Sequence, residues 1–370
     1  MIKDMKLKKY KLGDFIERST ANNRNLKYKE DLIVGVTSDG VFSTPKGNVN
    51  GVDLTPYKIV NNGDFVYNPS RFDLGSIAYR TEGLCIVSHL YQIFHLNEKG
   101  KEKIDPIWLF IYLRRKEFRR EVTFRNFGSQ RPEFNFNDLS EIVLPLPSIE
   151  QQRKYVNIYL ALQNNLAAYQ SKVEELKLVC DGYIEELRRK FGAEPIGPYL
   201  RSIDVRNNNL LVTLTQGVDV NMQFIPAKRE AEDQEGTKIV RTGQFAFNKV
   251  VKSNGTKLPI ALREGPDCVI SSSYEVFEVV DKEKLLPEYL MLWLSRSETH
   301  RQCGYKSYGT TRDVFPFEDL CKLQFPIPNI ETQKDIANIY KCFIERKRIA
   351  EALKEQIKNI CPVLIRGSLT

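Results

Sequence analysis

Two short polar segments carry residue types that could read DNA bases. Gln130 and Arg131 follow one glycine closely, and Thr311 and Arg312 follow another. In the major groove, Gln can pair with adenine and Arg with guanine through two hydrogen bonds each. These four side chains are our candidates for base contacts. For the arginines, which both segments share, the alternative is a structural role in shaping the loop or pairing with a nearby aspartate.

Further DNA contacts are predicted where the two halves of the chain differ or are strongly basic. Ser70 and Arg71 in the first half are replaced by a different stretch in the second, which holds Lys249 and Lys252. Residues that differ are the ones expected to discriminate between base sequences. Arg125 belongs to a basic run that fits phosphate contacts, for which the alternative is a solvated helix face.

The sequence lacks the motifs of nucleotide-, methyl-donor- or zinc-dependent catalysis. Neither the G-x-x-x-x-G-K-[ST] nor the G-x-G-x-x-G phosphate-binding pattern occurs. The three histidines form no H-E-x-x-H or H-x-x-x-H pair. Asn68-Pro69-Ser70 and Asn248-Lys249 depart from the Asn/Asp-Pro-Pro-aromatic signature of amino-methyltransferases. We predict no catalytic residue, metal ligand or cofactor in this chain, with a cryptic nuclease site as the alternative.

Composition indicates a soluble protein with a polyanionic partner. The chain has 370 residues, enough for two or three domains, with a net charge of +8 and a pI near 8.9. A basic balance favours nucleic acid as the partner. The seven cysteines form no C-x-x-C pair, and neither a signal segment nor a membrane-length apolar run occurs. We expect a cytoplasmic protein with reduced thiols and no membrane contact.

The chain contains a long internal repeat. Residues 127–159 align with residues 308–340 without a gap, and 14 of the 33 positions are identical, against roughly two expected by chance. Shorter matches precede this block in the same order, such as residues 58–68 with residues 238–248. The chain is therefore a tandem duplication of one unit that consists of a domain and a helix. A pseudo-two-fold symmetric arrangement is expected.

A mixed α/β domain is predicted in each half, so the fold class is α+β. Four β-branched or aromatic runs predict strands in the first half: 33–37, 64–68, 76–80 and 84–88. Pro106 and Pro287 each open an apolar stretch that predicts a helix, over 106–122 and 287–302. Each polar segment with candidate base contacts follows such a helix.

Two long helices are predicted after the domains. Apolar and aromatic residues over 155–187 recur at alternating spacings of four and three, which is the a/d seam of a coiled coil. The helix over 149–190 would be roughly 60 Å long. A second helix, from 330 to about 360, has a less regular seam, and Pro362 and Gly367 predict its end. An intramolecular coiled coil is expected, with two separate amphipathic helices as the alternative.

A Pro-x-Pro segment joins each domain to its helix. Because proline disfavours helix at the residue before it, these segments predict hinges. The candidate hinge or subunit-docking residues are Pro145, Pro147, Gln152, Pro326, Pro328 and Gln333. Ser148 and Asn329 occupy the expected N-cap positions. The predicted boundaries are 1–148 for the first domain, 149–192 for its helix, 193–329 for the second domain and 330–370 for its helix.

This layout resembles the specificity subunit of type I restriction–modification systems. The resemblance is carried by LPLPSIEQQRK and FPIPNIETQKD, with FGSQRPEFNFNDL and YGTTRDVFPFEDL before them, and it extends over nearly the whole chain. It implies that each domain is a target-recognition domain reading one half of a split site in double-stranded DNA. It also implies that the long helices pair antiparallel and set the spacer between the half-sites.

The same resemblance implies a set of partners. Two methyltransferase (modification) subunits would dock against the helices, and a motor–nuclease (restriction) subunit would complete the complex. S-adenosylmethionine and ATP-Mg²⁺ would belong to those partners, and this chain would be a non-catalytic specificity subunit.

Three other functions compete with this interpretation. The first is a standalone DNA-binding regulator with tandem domains and no methyltransferase partner. The second is a metal-dependent nuclease with its own cryptic site. The third is a coiled-coil scaffold, which does not explain why duplicated domains carry divergent loops.

Overall fold

The fold consists of two compact units. The computed structural model describes residues 7–45, 47–49, 51–125, 133–227, 236–251, 257–308 and 313–369. Unit 1 comprises residues 1–168 and 350–370, and unit 2 comprises residues 169–349. Each unit therefore contains one globular part and portions of both long helices, whereas the boundaries predicted from the sequence kept each helix whole.

Unit 1 is built mainly from short antiparallel strands. Its strands are β1 (Lys9–Lys11), β2 (Ile16–Arg18), β3 (Gly35–Val36), β4 (Phe42–Ser43), β5 (Lys58–Val60), β6 (Phe65–Tyr67), β7 (Ile77–Tyr79), β8 (Cys85–Val87), β9 (Gln92–Leu96) and β10 (Val143–Pro145). Its helices are α1 (Glu98–Lys103), α2 (Pro106–Leu113), α3 (Lys116–Arg125), α4 (Phe136–Ser140) and the first part of α5 (Ile149–Lys190). A four-stranded sheet, in the order β2-β9-β6-β7, is flanked by the ribbons β1–β10, β3–β4 and β5–β8.

Unit 2 repeats this order of elements. Its strands are β11 (Ala193–Pro195), β12 (Leu200–Ile203), β13 (Gln216–Val218), β14 (Phe224–Pro226), β15 (Lys238–Val240), β16 (Phe245–Asn248), β17 (Val250–Val251), β18 (Ile260–Leu262), β19 (Cys268–Ile270), β20 (Tyr274–Val279), β21 (Asp313–Val314) and β22 (Gln324–Pro326). Its helices are α6 (Pro287–Leu294), α7 (Ser297–Lys306), α8 (Phe317–Leu320) and the first part of α9 (Ile330–Ser368). The four-stranded sheet is β12-β20-β16-β18, and the ribbon β17–β21 has no counterpart among the described residues of unit 1. The predicted α+β class with two similar domains is confirmed.

Strand alternation divides each sheet between two cores. In β6, Phe65 and Tyr67 join the core that contains the helices, whereas Val66 joins the core under the small ribbons. In β16, Phe245 and Ala246 divide in the same way. Successive side chains of a strand point to opposite faces, so a short run of apolar residues serves both cores.

The helical stretch before each polar segment is two helices rather than one. The break follows Leu113 in unit 1 and Leu294 in unit 2. In unit 2, Thr299 Oγ1 donates to the carbonyl oxygen of Trp293 at 2.7 Å, and Ser295 Oγ donates to that of Leu292 at 2.8 Å. Side-chain hydroxyls that occupy the last carbonyls compete with continuation of the helix.

The long helices begin at the predicted caps. The backbone N–H of Gln151 donates to Ser148 Oγ at 3.2 Å, and that of Thr332 donates to Asn329 Oδ1 at 2.9 Å. Each cap satisfies one of the N–H groups that have no partner in the first helical turn.

The predicted antiparallel pairing of the long helices is confirmed within each unit. In unit 1, Val156 of α5 and Ile365 of α9 join one core, and a Cβ placed on Gly367 would come within 2.8 Å of the Tyr155 ring. In unit 2, the guanidinium of Arg346 lies 5.9 Å from the centre of the Tyr169 ring. Further along α5 in unit 2, Ile184 and Leu187 share a core with Ile336, which lies earlier in α9 than Arg346. Within a unit, higher residue numbers in α5 therefore go with lower ones in α9, as antiparallel helices require.

The end predicted for the second helix near residue 360 and Pro362 is wrong, whereas Gly367, the other predicted end marker, lies one residue before the observed end. Helix α9 continues through Pro362 to Ser368. Proline inside a helix costs about 3 kcal/mol, because it removes one hydrogen bond and crowds the preceding turn. Burial of Ile365 and a 2.8 Å hydrogen bond from Trp108 Nε1 to Ser368 Oγ hold the last turn in unit 1. Tertiary packing therefore outweighs the local preference.

Candidate nucleic-acid interface

In unit 1, a turn after β6 lies against the chain that follows the first polar segment. Asn68 Oδ1 accepts from the backbone N–H of Ser70 at 3.1 Å and caps a short 3-10 turn, Pro69–Arg71. The backbone N–H of Phe134 donates to the carbonyl oxygen of Pro69 at 3.1 Å. Ser70 and Arg71 are exposed. The candidate turn therefore lies against the described chain at Phe134, which follows the first polar segment in sequence.

Unit 2 brings the corresponding segments together at the same place. Asn248 Oδ1 accepts from the backbone N–H of Val250 at 3.0 Å. Asn68 makes the equivalent bond to Ser70, which also lies two residues later. The backbone N–H of Phe315 donates to the carbonyl oxygen of Lys249 at 2.8 Å, and β17 pairs with β21. A shared asparagine turn thus leads into a 3-10 turn in unit 1 and into a strand in unit 2.

Buried side chains fix these segments to the helices behind them. Phe134 is fully buried, with its ring 5.5 Å from that of Phe72 and 6.4 Å from that of Phe118. Arg119 Nε of α3 donates to the carbonyl oxygen of Asp73 at 2.5 Å. At the matching position on α7, His300 Nδ1 accepts from the backbone N–H of Leu258 at 3.1 Å. The exposed turns therefore stand on a rigid base.

His300 anchors its loop as a neutral imidazole. Its side chain is buried, and burial is the main reason that its pKa lies below the usual 6.5, with the positive charge of Lys257 adding to the effect. A neutral ring can accept through Nδ1, whereas an imidazolium cannot. The hydrogen bond to Leu258 therefore depends on the unprotonated state.

Two described basic residues among the candidate DNA contacts, Arg71 and Lys249, differ in whether an ion pair already holds their side chains. Arg71 forms no ion pair within the part of the chain that the structure describes. Lys249 Nζ instead lies 3.0 Å from Glu275 Oε1, and the same carboxylate lies 3.5 Å from the buried Lys238 Nζ. Arg71 is thus the better placed of the two for DNA.

Most of the basic run that precedes the first polar segment has structural contacts. Arg114 Nη2 donates to the carbonyl oxygen of Ser38 at 3.3 Å, and Arg115 stacks 3.7 Å from the centre of the Tyr112 ring. Arg125, our candidate for a phosphate contact, pairs with Glu121 at 2.9 Å. These contacts favour the alternative of a helix face over a continuous basic surface for DNA.

Five predicted contacts lie outside the described residues. They are Gln130, Arg131, Lys252, Thr311 and Arg312. The segments on either side of them are described, and these flanks converge in each unit as stated above.

The glutamine after each Pro-x-Pro segment is fully buried and makes three hydrogen bonds. Gln152 Nε2 donates to the carbonyl oxygens of Lys103 at 2.8 Å and Pro147 at 3.0 Å, while Oε1 accepts from the backbone N–H of Asp105 at 2.9 Å. We call this arrangement the glutamine knot. It ties the start of the long helix to the loop before α2.

The second unit repeats the glutamine knot. Gln333 Nε2 donates to the carbonyl oxygens of Lys284 at 2.7 Å and Pro328 at 2.8 Å, while Oε1 accepts from the backbone N–H of Leu286 at 2.9 Å. The first proline of each segment also closes a ribbon, since Pro145 pairs with Lys9 and Pro326 pairs with Ala193. The Pro-x-Pro junctions are therefore braced rather than loose.

The sequence marks these two glutamines as candidates but does not reveal the backbone groups with which they form hydrogen bonds. Their partners lie 47 and 49 residues earlier in the chain, in a loop with no motif of its own. The available signal was the recurrence of Gln152 and Gln333 at one spacing from the prolines.

The described residues contain neither a candidate metal-binding cluster nor a candidate membrane-spanning helix. Within those ranges, no group of three or more His, Cys, Asp or Glu side chains could hold a metal ion. No helix there is long and apolar enough to cross a bilayer.

Comparison with known proteins identifies the family. The model of the type I restriction modification DNA specificity domain matches residues 4–178 and again residues 206–359. The chain belongs to this family. Its two matches coincide with the two halves of the internal repeat, so each unit carries one copy of the specificity domain.

Two relatives from Methanocaldococcus jannaschii resemble this family member along most of their length. A putative type I restriction enzyme MjaX specificity subunit is 21% identical over 388 aligned positions, which span 94% of this chain and 88% of the relative. The type I restriction enzyme MjaVIII specificity subunit is 21% identical over 357 positions, which span 84% and 80%.

A solved structure shares the fold of this specificity-domain protein. The S subunit of a type I restriction-modification system from M. genitalium superposes with a TM-score of 0.67 at 10% identity, covering 100% of this chain and 97% of that one. At this identity the likeness concerns the fold alone.

Proposed function

We propose that this chain is the DNA-sequence-reading subunit of a type I restriction–modification complex. Each unit reads one half of a bipartite site in double-stranded DNA, and the antiparallel helices set the spacer. The observation that carries this proposal is the paired convergence of divergent turns on one scaffold. The 3-10 turn at Ser70 and Arg71 is hydrogen-bonded through Pro69 to Phe134, and Lys249, just before β17, is hydrogen-bonded to Phe315. These two segments differ in sequence and conformation, as the reading of different half-sites requires.

The partners follow from the family. Two methyltransferase subunits dock on this chain, and a motor–nuclease subunit joins them for restriction. S-adenosylmethionine and ATP-Mg²⁺ are bound by those subunits, and this chain supplies no catalytic residue. The names of the relatives, both specificity subunits of type I restriction enzymes, support this assignment.

A methylation map tests the proposal. The chain is co-expressed with the methyltransferase encoded next to it, and methylated bases are mapped across the host genome. We expect a split motif with two short defined parts around an undefined spacer of fixed length, because half-sites read from one face of DNA recur with the helical turn.

Two other outcomes would redirect the assignment. DNA binding by a stable complex without any methylation would favour the tandem-domain regulator. Metal-dependent cleavage of DNA by the purified chain alone would favour the nuclease.

A further inference from the structure

One helix face, exposed except for the half-buried Glu121, is matched between the two units. Its residues are Glu117, Arg120, Glu121 and Phe124 on α3, and Glu298, Arg301, Gln302 and Tyr305 on α7. Each pair is related by the same offset of 181 residues. Positions that are three, four and seven residues apart share one side of a helix. We call these residues the matched face.

The buried sides of the same two helices are less alike than the matched face. Phe118 on α3 corresponds to Thr299 on α7, and Val122 corresponds to Cys303. Exposed positions ordinarily tolerate substitution more readily than buried ones, because they make fewer contacts. A surface that is kept while the interior changes is under a constraint from outside the fold.

The matched face presents an aromatic ring to solvent in both units. Phe124 is 82% exposed and Tyr305 is 91% exposed. One turn earlier, each ring is preceded by an arginine that pairs with a glutamate, at 4.0 Å for Arg120 and 2.8 Å for Arg301. A single exposed apolar side chain is ordinary, but one in the same charged setting in two diverged units calls for a partner.

In unit 2, the matched face forms one wall of an open groove of about 600 Å³. The groove is also lined by the buried Trp293 and Phe325 and by Gln324 of the Pro-x-Pro ribbon. In unit 1, the ribbon residue that corresponds to Gln324 is Val143, which is 49% exposed beside the buried Leu144. The ribbon next to each matched face thus offers side-chain surface to a partner.

The geometry points to a protein partner that contacts both units through the matched face, one copy on each. Phosphate contacts are disfavoured because Glu117 and Glu298 neutralise the arginines and would repel a DNA backbone. Exposed aromatic side chains with adjacent arginines are the residues that dominate protein–protein binding energy. Because the two faces share the glutamate, the arginine and an aromatic ring at matched positions, they fit one kind of partner bound twice.

This inference rests on the proposed function, which supplies such a partner in the two methyltransferase subunits. Each copy inserts apolar side chains beside Phe124 or Tyr305 and approaches the Pro-x-Pro ribbon. The matched face is then a docking surface distinct from the long helices. The candidate base-reading turns stay free for DNA.

Single substitutions of the aromatic residues test the docking surface. The full chain is co-purified with the methyltransferase of the same system as wild type, Phe124→Glu or Tyr305→Glu. Native mass spectrometry gives the number of bound copies, and titration gives the affinity of each. We expect each variant to weaken one copy by roughly 10- to 30-fold and to leave the other unchanged.

The chain offers two matched controls. Phe124→Tyr and Tyr305→Phe exchange the residues that the units already use, so both should assemble like the wild type. Leu90→Glu changes a leucine that is 62% exposed but corresponds to Ser273 in unit 2, and it should also leave assembly unchanged. Thermal melting of every variant checks that the fold is intact.

The remaining outcomes separate the two proposals. If both glutamate variants bind two copies with wild-type affinity, the docking surface is wrong while the proposed function stands. If assembly is normal but the assembled complex loses affinity for DNA, the matched face is a DNA contact and the inference is also wrong. If the wild-type chain binds no methyltransferase subunit at all, both proposals fail together.

Discussion

The two units keep the aromatic stacking within their sheets and their glutamine knots, and they differ in their polar residues. Phe65 and Phe94 stack at 4.8 Å with an angle of 4° between their rings in unit 1, and Phe245 and Phe277 have the same separation and angle in unit 2. The glutamine knots are equally alike. The framework has thus been retained in both copies of the duplicated unit, since buried stacking and buried hydrogen bonds leave little freedom for substitution.

Polar groups at the ends of the two central strands of each sheet have diverged between the units. In unit 1, His95 Nδ1 lies 3.7 Å from Asp64, and burial raises the pKa of that carboxyl above its usual range. In unit 2, Glu278 takes the place of His95 and Gln244 that of Asp64. Glu278 accepts hydrogen bonds from Arg201 and Gln244, and these contacts lower its pKa. The same sheet therefore carries different charges in the two units, as two domains that read different DNA half-sites require.

The largest expected effect is the loss of a glutamine knot. Gln152→Met and Gln333→Met keep the volume but leave buried backbone groups without partners, so each should lower the free energy of unfolding of its own unit by about 2–4 kcal/mol. Urea denaturation measures both. The exposed neighbour change Glu150→Gln is the control. A large loss in one unit and none in the other would contradict the equivalence of the knots.

The next effect concerns the turns that differ between the units. Arg71→Ala removes an exposed arginine that lacks an ion pair among the described residues, and it should weaken DNA binding of the assembled complex by about 1–3 kcal/mol. Lys249→Ala removes a lysine already held by Glu275, so it should cost less than about 1 kcal/mol. Fluorescence anisotropy with the mapped site measures both. The reverse order of effects would show that the ion pair of Lys249 opens on DNA.

The smallest effect is a pH dependence confined to unit 2. Folding holds the pKa of His300 below the usual 6.5, so the unfolded chain takes up a proton first as the pH falls. The contribution of His300 to stability is therefore complete above pH 6.5 and declines as the pH drops below it. Arg119 occupies the same position in unit 1 and keeps its charge throughout this range.

Hydrogen exchange, corrected for intrinsic rates, measures this pH dependence. Between pH 7.5 and 5.5, the amide of Leu258 should lose protection while the backbone around Asp73 keeps its own. His300→Gln, whose amide oxygen can still accept a hydrogen bond, should remove most of the dependence. Equal losses in the two units would show that His300 does not control the loop.

The sequence predicted the regular features of this fold well, because their cause is local. The spacing of residues 155–187 follows helix geometry, and Ser148 and Asn329 cap the helices within three residues of themselves. The internal repeat predicted two similar domains for the same reason, since it is visible without any knowledge of contacts.

The features that the sequence did not predict depend on residues distant in the chain. Pro362 was expected to end its helix, but helix α9 continues to Ser368. Its last turn is held by packing and by a hydrogen bond to Trp108, which lies 260 residues earlier in the chain. The partners of Gln152 lie in a loop without a recognisable motif. The candidate turn at Ser70 was chosen because the units differ there, and its contact with the chain at Phe134 is evident only from the hydrogen bond between Phe134 and Pro69.

The most direct test of the account is a transplant within the molecule. Residues 9–148 are replaced by a second copy of residues 193–329, and the methylated motif is mapped again with the same methyltransferase. Since each unit is proposed to read its own half-site on a shared framework, we expect a motif whose two defined parts are the same short sequence. A motif that retains the original first part would contradict the account, because the reading of that half would then not reside in unit 1.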